Sequence, residues 1–577
     1  MSTSRHIDRI CVVVTILAVL LTVLFINGKA IGIASTADPG TGDDRFTAND
    51  LGADWDTAGA TYITLNGDGG GVKGNGAYVY DGDVYIVYAG KYIISGELTD
   101  GSVIVDADGD DKIWILLNGV SLHCDDSAAI VVEQAGKVFL TVADGTENFV
   151  SSGESYSEDA VSSKIDGTIY SRDDLTINGS GSLSVTAAYK HGIVCNDDIV
   201  IVGANIEITA PQDGIHANDS GRFADMDLTI NAGDDGLTVK NDDETSYIYI
   251  ESGNINITSC YEGIEAIDIT IAGGKIDIRP TDDGINACGQ GSNSVIRITG
   301  GDITIINETG RDADGLDSNG DILISGGNTF ISVNTSSYAL DYGSENGGVC
   351  KISGGKVIAA GGSAMAEGFD SSSEQGFIMY NTPTAAAGTA LTLKNAAGDT
   401  LISKTIPCAF SSVVISTPEM RLGETCTISV GGSSEEITVD NSSGSGGFGM
   451  GGMQGGGMFG GRGSGGRRDI DGTETADRWP RDMTGLPAGG MQPMEISEPA
   501  DGTAGRGELP QTPGDGFLRG ENDRGGDQFT QWEQNRDRAQ GGTAAEASGV
   551  SPDALILTGV SALILLAGIL IAFKVKH

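Results

Sequence analysis

The chain has 577 residues, of which 34 are Lys or Arg and 80 are Asp or Glu, so its formal net charge is −46. We do not expect such an acidic chain to bind nucleic acid, because phosphate backbones are recognised by clustered basic side chains. The 89 glycines and the aromatic content of 6% argue against a set of ordinary compact domains and favour a repetitive β-structure with a polar tail.

The N-terminus has the pattern of a secretory signal. Arg5 and Arg9 precede an apolar run from Ile10 to Ile26, and small residues up to Ala37 suit cleavage. We therefore expect residues 1–37 to be a signal peptide, with an uncleaved anchor as the alternative. Residues 38–80 are polar and glycine-rich, and we expect them to cap the repetitive region that follows.

A triplet of the form Asp-Gly-Ile recurs through the middle of the chain. Its glycines are separated by 22, 22, 27, 21 and 31 residues, and they are Gly192, Gly214, Gly236, Gly263, Gly284 and Gly315. A short period with unequal insertions is typical of a solenoid. Between triplets, two runs of alternating apolar and polar residues flank a glycine bend, as in residues 268–278. This pattern predicts an all-β fold over residues 81–370, a right-handed parallel β-helix with three short strands per coil and roughly ten coils.

Stacking the repeats places like residues in columns. One place after the glycine is an apolar column that should line the core: Ile193, Ile215, Leu237, Ile264, Ile285 and Leu316. Three places after it is an inward column of small residues: Cys195, Ala217, Val239, Ala266, Ala287 and Ser318. One place before it is an acidic column that we expect to point outward: Asp213, Asp235, Glu262, Asp283 and Asp314.

The acidic column predicts calcium. Carboxylates on strands about 4.8 Å apart repel one another, whereas one Ca²⁺ ion with oxygen ligands at about 2.3–2.6 Å can bridge them. Oxygen ligands favour Ca²⁺ over Zn²⁺. The alternative is that each Asp is only a turn residue before glycine. The predicted calcium ligands are Asp213, Asp234, Asp235, Glu262, Glu265, Asp282, Asp283, Asp314 and Asp317.

Other outward positions supply candidates for binding and catalysis. The candidate carbohydrate-binding residues are Asn196, Asn218, Asn286 and Asn319. Lys240 is the candidate base of a β-eliminating lyase, and the alternative is a solvated lysine paired with Asp242 or Asp243. Tyrosines near the variable loops are candidates for stacking on sugar rings or for packing: Tyr189, Tyr261, Tyr338 and Tyr342.

The C-terminal third changes character twice. Residues 371–440 keep strand patterns without the repeat, and we expect a β-rich cap that covers an open edge. Residues 441–550 are rich in Gly and Met with few aliphatic side chains, so we expect a disordered linker. Residues 554–573 are uncharged and are followed by Lys574 and Lys576, which predicts a transmembrane helix within 551–577 and a cytoplasmic C-terminus. The protein is then a single-pass protein of the cell membrane with its solenoid outside.

A series of short motifs in fixed order makes residues 60–440 resemble a known family. These motifs are residues 98–101, 103–106, 111–112, 117–120, 126–130, 143–146 and 171–179. The family is that of the secreted bacterial carbohydrate-binding proteins of the cellulose- and pectin-binding β-helix type. The resemblance implies a polysaccharide-lyase-like parallel β-helix that contains several Ca²⁺ ions and binds cellulose-like and polygalacturonate polymers. It also implies that the acidic column matches the calcium ladder of the family.

Three functions remain open at this point. The first is a cell-surface carbohydrate-binding protein that holds pectin or polygalacturonate, with cellulose as a further candidate, through bound Ca²⁺. The second is a calcium-dependent, pectate-lyase-like polysaccharide lyase. The third is a structural surface adhesin. We favour binding, because Ca²⁺ can join protein carboxylates to uronate carboxylates that the net charge would otherwise repel. We do not favour catalysis, because Lys240, the one candidate base, is better explained as a solvated lysine paired with Asp242 or Asp243.

Overall fold

The computed structural model describes residues 45–441, apart from residues 54, 242–244, 290–292, 312 and 365. The predicted signal peptide and transmembrane segment lie outside these residues, as does the predicted linker beyond its first residue. Asp242 and Asp243, the suggested partners of Lys240, also lie outside them. In the part of the chain that is described, no helix combines the length and the apolar character that a membrane crossing requires.

The described residues form a β-solenoid whose coils carry three strands, so the predicted all-β solenoid is confirmed. Strands are numbered in chain order. The first ladder contains the Asp-Gly-Ile triplets, and eleven of its 12 strands run parallel, while the first is antiparallel to the second. Its strands are β3 (Ala77–Tyr80), β4 (Asp83–Ile86), β6 (Val103–Asp106), β8 (Ile130–Gln134), β11 (Gly167–Ser171), β14 (His191–Cys195), β17 (Ile215–Ala217), β20 (Leu237–Val239), β23 (Ile264–Ala266), β26 (Ile285–Ala287), β29 (Leu316–Ser318) and β32 (Leu340–Tyr342).

The other two ladders share their first strands and then separate. The shared strands are β1 (Thr61–Gly67), β5 (Gly90–Leu98) and β7 (Lys112–Cys124), and β2 (Gly70–Lys73) pairs antiparallel with β1. The second ladder continues with β9 (Lys137–Val142), β12 (Leu175–Gly179), β15 (Asp198–Val202), β18 (Ser220–Ala224), β21 (Tyr247–Ile250), β24 (Asp268–Ile271), β27 (Val295–Ile298), β30 (Asp321–Ile324) and β33 (Cys350–Ile352). The third continues with β10 (Glu147–Ser152), β13 (Ser182–Thr186), β16 (Asn205–Ala210), β19 (Asp227–Ala232), β22 (Asn254–Cys260), β25 (Lys275–Pro280), β28 (Asp302–Asn307), β31 (Asn328–Val333) and β34 (Lys356–Gly361).

Residues beyond the last coil are also β-rich. Strand β38 (Phe410–Ser416) pairs antiparallel with β34 and with β35 (Phe377–Ala385). A separate four-stranded antiparallel sheet contains β36 (Thr389–Lys394), β37 (Thr400–Ile406), β39 (Thr425–Val430) and β40 (Ser433–Thr438). The helices are short: α1 (Ala48–Leu51), α2 (Glu158–Ser162) and a 3₁₀ turn at Ser344–Asn346.

The core follows the columns expected from the repeat. The apolar column is buried from Ile193 to Leu316, and so is the column of small residues from Cys195 to Ser318. Burying an aliphatic side chain of this size contributes about 1.5–3 kcal/mol. The repeat glycines are needed because neighbouring coils pack too closely there for a side chain. A Cβ on Gly236 would lie 2.6 Å from the carbonyl oxygen of Gly263 and 2.7 Å from Cδ1 of Ile257.

Residues 45–50 form what we call the N-terminal strap, which lies on the outer face of the second ladder. Thr47 caps α1 and exchanges hydrogen bonds with Asp50. The buried carboxylate of Asp50 lies 3.0 Å from Nζ of Lys137 and accepts a 2.6 Å hydrogen bond from Thr176. Farther along, Arg222 donates to the carbonyl oxygen of Arg45. The strap thus connects several coils.

Candidate functional site

The acidic column forms a continuous ladder in the turns that precede the strands of the first ladder; we call Asp213, Asp235, Glu262, Asp283 and Asp314 the acidic ladder. Backbone hydrogen bonds explain its regular spacing. Oδ1 of Asp213 accepts from the backbone N–H of Asp235 at 3.2 Å, and Oδ1 of Asp235 accepts from that of Glu262 at 3.1 Å. Asp283 accepts in the same way from Asp314 at 2.5 Å. One oxygen of these carboxylates therefore holds the next coil, and the other is left for neighbouring side chains.

Burial distinguishes the ladder from an ordinary charged surface. We expected an outward column, but four of its five side chains are covered: Asp213, Asp235, Asp283 and Asp314. Side chains two places after the glycine contribute to this cover. Thr238 reaches back along its own turn and donates a 2.8 Å hydrogen bond to Oδ2 of Asp235. Asn286 instead donates to Glu262 on the preceding coil. The carboxylates are therefore desolvated as well as stacked.

Most of the predicted calcium ligands come together in overlapping groups. Within each of three groups the ligand atoms lie within 4.8 Å of one another: Asp213 with Asp234 and Asp235, Asp235 with Glu262 and Glu265, and Glu262 with Asp282 and Asp283. Asp317, when protonated, donates a hydrogen bond to the carboxylate of Asp283. Oδ1 of Asp314 accepts from the backbone N–H of Tyr338 at 2.6 Å. The nine predicted residues thus follow one line along the solenoid.

Burial raises the pKa of Asp213, but the hydrogen bonds and charges of His191 and His216 outweigh this and lower it. On the later coils, burial and repulsion between carboxylates dominate. Burial, followed by the charges of Glu265 and Asp213, raises the pKa of Asp235. Burial and the charges of Glu265 and Asp235 raise the pKa of Glu262. Burial and its acidic neighbours likewise raise the pKa values of Asp283 and Asp317. A divalent cation would reverse these shifts, because it stabilises the ionised carboxylates.

Lys240 forms a close ion pair with Glu265, one coil further along. Burial lowers the pKa of Lys240, but the charge and hydrogen bond of Glu265 outweigh this and raise it above its usual value. A general base has to lose its proton near the working pH. This arrangement therefore suits charge compensation within the ladder and does not suit proton abstraction.

The candidate carbohydrate-binding asparagines occupy different settings. Asn196 is exposed and donates to the hydroxyl of Tyr170, and Asn218 donates to the carbonyl oxygen of Asn196. Asn286 is half-buried and donates to Oε2 of Glu262 at 3.0 Å, so it belongs to the acidic ladder. Asn319 is exposed near the end of the solenoid. Their role in binding carbohydrate stays a prediction.

Two features of the site were missed in the sequence. His191 and His216 flank Asp213, with Nδ1 atoms 3.1 and 2.8 Å from its Oδ2. The variant triplet at Gly192 could have indicated His191 as a ladder residue. Asp341 aligns with Asp317 on the next coil, but Ala339 replaces the repeat glycine there, so that coil has no Asp-Gly-Ile triplet.

An aromatic patch on the first coil was also missed. Tyr78 and Tyr85 pair across the β3–β4 hairpin with rings stacked at 5.0 Å, and Tyr80 is 68% exposed. Strand pairing places Tyr85 in the same outward column as Glu265. A cavity of about 280 Å³ on the same coils has an acidic lining that includes Asp81, Asp83, Asp100, Asp126 and Glu133. The candidate loop tyrosines differ from this patch, since of the four only Tyr261 is clearly exposed.

Comparison with known proteins gives the family. A family model described as carbohydrate-binding domain-containing protein matches residues 80–368, half of the chain. The chain belongs to this carbohydrate-binding domain family. The expectation from the sequence motifs is thereby confirmed at the level of the family.

Two individual proteins are similar to this chain. A carbohydrate-binding domain-containing protein of Acetivibrio thermocellus is 37% identical over 137 residues, which are 24% of this chain and 48% of that protein. The chain thus spans about half the length of this curated relative. A solved structure, the gadolinium derivative of the polysaccharide lyase-like protein from C. thermocellum, is 28% identical. The match covers 51% of this chain and 97% of that chain with a TM-score of 0.34.

Proposed function

We propose that this chain binds pectin or polygalacturonate through Ca²⁺ ions held on the acidic ladder. The observation that carries the proposal is the convergence of Glu262, Asp282 and Asp283 from two successive coils, with ligand atoms within 4.8 Å of one another. The pKa of Glu262 is raised first by burial and then by the charges of Glu265, Asp235 and Asp283. Carboxylates this close therefore add repulsion. A Ca²⁺ ion bound between them would remove it.

The donor set fits Ca²⁺. These three side chains offer only carboxylate oxygens, which are hard ligands that Ca²⁺ accepts in flexible geometry. Ca²⁺ takes about 6–8 oxygen ligands, so three carboxylates leave positions for water or for the oxygens of a bound polymer. When bound, the ion would supply positive charge that joins protein and uronate carboxylates despite a net charge of −46.

The aromatic patch supports a second contact with the same polymer. Tyr78 and Tyr80 are two residues apart in β3, so their side chains point to the same face of the strand. Their exposed rings offer flat apolar surfaces to the faces of sugar rings. The helix α2 segment lies between this patch and the acidic ladder and packs on Val131, Tyr170 and Val194. We therefore place two contact regions on one face of the solenoid.

The location of the protein is part of the proposal. An extracellular solenoid with a single C-terminal membrane anchor would display the ladder at the cell surface. This placement is supported by the uncharged segment at 554–573 and by Lys574 and Lys576 after it, which lie outside the described residues. Protease digestion of intact cells checks this placement, because an extracellular solenoid is cleaved without permeabilisation.

Retention of the full-length protein on immobilised polygalacturonate tests the function. We expect retention in Ca²⁺ and loss of retention in EDTA, with no unsaturated product. Asp282→Asn should weaken retention, because it removes a proposed ligand. Asp108→Asn is the matched control, since Asp108 is exposed and far from the ladder in sequence and coil.

Other outcomes identify the other functions. Unsaturated product that requires Ca²⁺ would make the protein a lyase, and its loss in Lys240→Ala would assign the base. If the protein is not retained on pectic or cellulosic polymers and forms no product from them, a surface adhesin is the remaining function. Retention that is insensitive to EDTA would refute the role of Ca²⁺.

A further inference from the structure

The first rung of the ladder differs chemically from the rest. Here His191 occupies the position that carboxylates occupy on the later coils, and His216 occupies the covering position. Together with Asp213 they offer two imidazole nitrogens and one carboxylate oxygen, all within 4.8 Å of one another. Imidazole suits Zn²⁺ and related transition ions, whereas carboxylate-only groups suit Ca²⁺. The donor set therefore changes along one continuous ladder.

The donor atoms around Asp213 lie close to the spacing of ligands on one metal ion. Its Oδ2 lies 2.8 Å from Nδ1 of His216 and 3.1 Å from Nδ1 of His191. Ligands at the usual Zn–N and Zn–O distances of about 2.0–2.2 Å are about 3.3–3.6 Å apart in a tetrahedral site, so side-chain shifts of about 0.5 Å would admit the ion. Meanwhile, Oδ1 of Asp213 accepts the backbone N–H of Asp235, which fixes the orientation of the carboxylate as an outer-shell contact does in metal sites.

His191 and Asp213 are already in direct contact. Nδ1 of His191 lies 3.1 Å from Oδ2 of Asp213 and 3.2 Å from its backbone nitrogen. In the tautomer that carries a proton on Nδ1, the ring donates to the carboxylate. A divalent cation bound to both groups would take the place of that proton. The site is largely enclosed, with the side chain of His191 14% exposed and that of Asp213 7% exposed.

We propose that His191, Asp213 and His216 form a binding site for a borderline divalent cation such as Zn²⁺, separate in kind from the carboxylate sites on the later coils. The side chain of His216 is 32% exposed, so the site opens to solvent on that side. Three protein ligands leave at least one coordination position for water or another ligand, as in open zinc sites. The proposal does not depend on pectin binding, because it rests on the protein ligands alone.

Cobalt is the probe of choice, because Co²⁺ replaces Zn²⁺ and its visible absorption is intense in four- or five-coordinate protein sites and weak in the octahedral aquo ion. The full-length protein is titrated with Co²⁺, and Zn²⁺ is then added. We expect one visible band that saturates, that Zn²⁺ abolishes, and that survives excess Ca²⁺. His191→Gln and His216→Gln should each weaken Co²⁺ binding by at least about 100-fold, the upper end of the loss for an outer-shell partner.

Controls separate this site from other histidines and from misfolding. His123→Ala should leave the band unchanged, because His123 contacts Ser151 and Asp125 on another ladder. Gln is used because it keeps a hydrogen-bond acceptor of similar length, and unchanged circular dichroism confirms that each variant is folded. No band in the wild type, a band that persists in both histidine variants, or a band lost to Ca²⁺ would each overturn the proposal.

Discussion

The backbone N–H of Glu262 donates a 3.1 Å hydrogen bond to Oδ1 of Asp235 on the preceding coil. Asp235 therefore has two separable properties. Its oxygen supports the backbone of the next coil, and its negative charge adds to the repulsion within the ladder. Substitutions that remove one property or both should have opposite effects on stability.

Replacing Asp235 tests this separation. Asp235→Asn keeps an acceptor for Glu262 and removes the charge, so in EDTA at neutral pH it should stabilise the fold by about 1–2 kcal/mol, the equivalent of roughly one pKa unit of relieved repulsion. Asp235→Ala leaves the N–H of Glu262 and the hydroxyl of Thr238 without this acceptor and should cost about 1–3 kcal/mol. Urea unfolding measures both values. Destabilisation by both variants to the same extent would contradict the role of the charge.

The raised carboxyl pKa values predict how stability depends on pH without Ca²⁺. Asp235, Glu262, Asp283 and Asp317 hold protons more tightly in the folded state than in the unfolded chain. The folded state therefore binds more protons, and its stability falls as pH rises from the ordinary carboxyl value of about 4 through neutrality. Ca²⁺ should flatten this decline, because it favours the ionised carboxylates. Melting temperatures measured from pH 4 to 9, in EDTA and in Ca²⁺, check both the decline and its dependence on Ca²⁺. A stability that rises with pH in EDTA would contradict the expected decline.

Lys240 should compete with Ca²⁺ for Glu265. Lys240→Gln frees the carboxylate of Glu265 from its ion pair, so the affinity for Ca²⁺ should rise by up to about tenfold, equivalent to about 1.4 kcal/mol. Calorimetric titration measures the change. Lys112→Gln removes an exposed lysine on another ladder and serves as the control. A weaker affinity in Lys240→Gln would show that Lys240 helps to build the site.

The glycine column should not tolerate a side chain. Gly236→Ala places a Cβ against the carbonyl oxygen of Gly263 and a methyl group of Ile257, and we expect it to cost about 1–3 kcal/mol. Gly71→Ala is the matched control, because its Cβ would meet nothing within 4 Å. Chemical denaturation of both variants tests the expectation. Equal stability of the two would mean that the coils can shift to admit a methyl group.

The buried ion pair of Asp50 should hold the N-terminal strap in place. Asp50→Ala leaves Lys137, at 11% side-chain exposure, with only its longer 3.9 Å contact to Asp174, and should destabilise the fold by about 3 kcal/mol, the lower end of the cost of breaking a buried ion pair. Asn49→Ala changes an exposed neighbour in the same helix and should have little effect. Unfolding curves and limited proteolysis of the strap distinguish the two. Cleavage of the strap at the wild-type rate in Asp50→Ala would refute this role.

The sequence was sufficient for the repeat and the core, because both depend on local periodicity. Ile215 and Ala217 could be assigned inward from their distance to Gly214, and both are buried. The burial of Asp213 and the pairing of Lys240 with Glu265 could not be predicted, since they depend on which side chain of one coil reaches the next. The unequal insertions hide that geometry. Asp341 was missed for a simpler reason, because its coil has Ala339 in place of the glycine.

The N-terminal strap also bears on the order in which the chain assembles. Asp50 accepts its hydrogen bond from Thr176, which lies 126 residues further along the chain. Arg45 accepts one from Arg222, which lies 177 residues further along. During synthesis the strap emerges first, yet the surface that receives it exists only after β18 has joined the growing stack. The entropic cost of closing so long a loop grows slowly with length, but contacts this distant form late. The strap can therefore dock only after the coils that it contacts have formed, and its docking then stabilises those coils together.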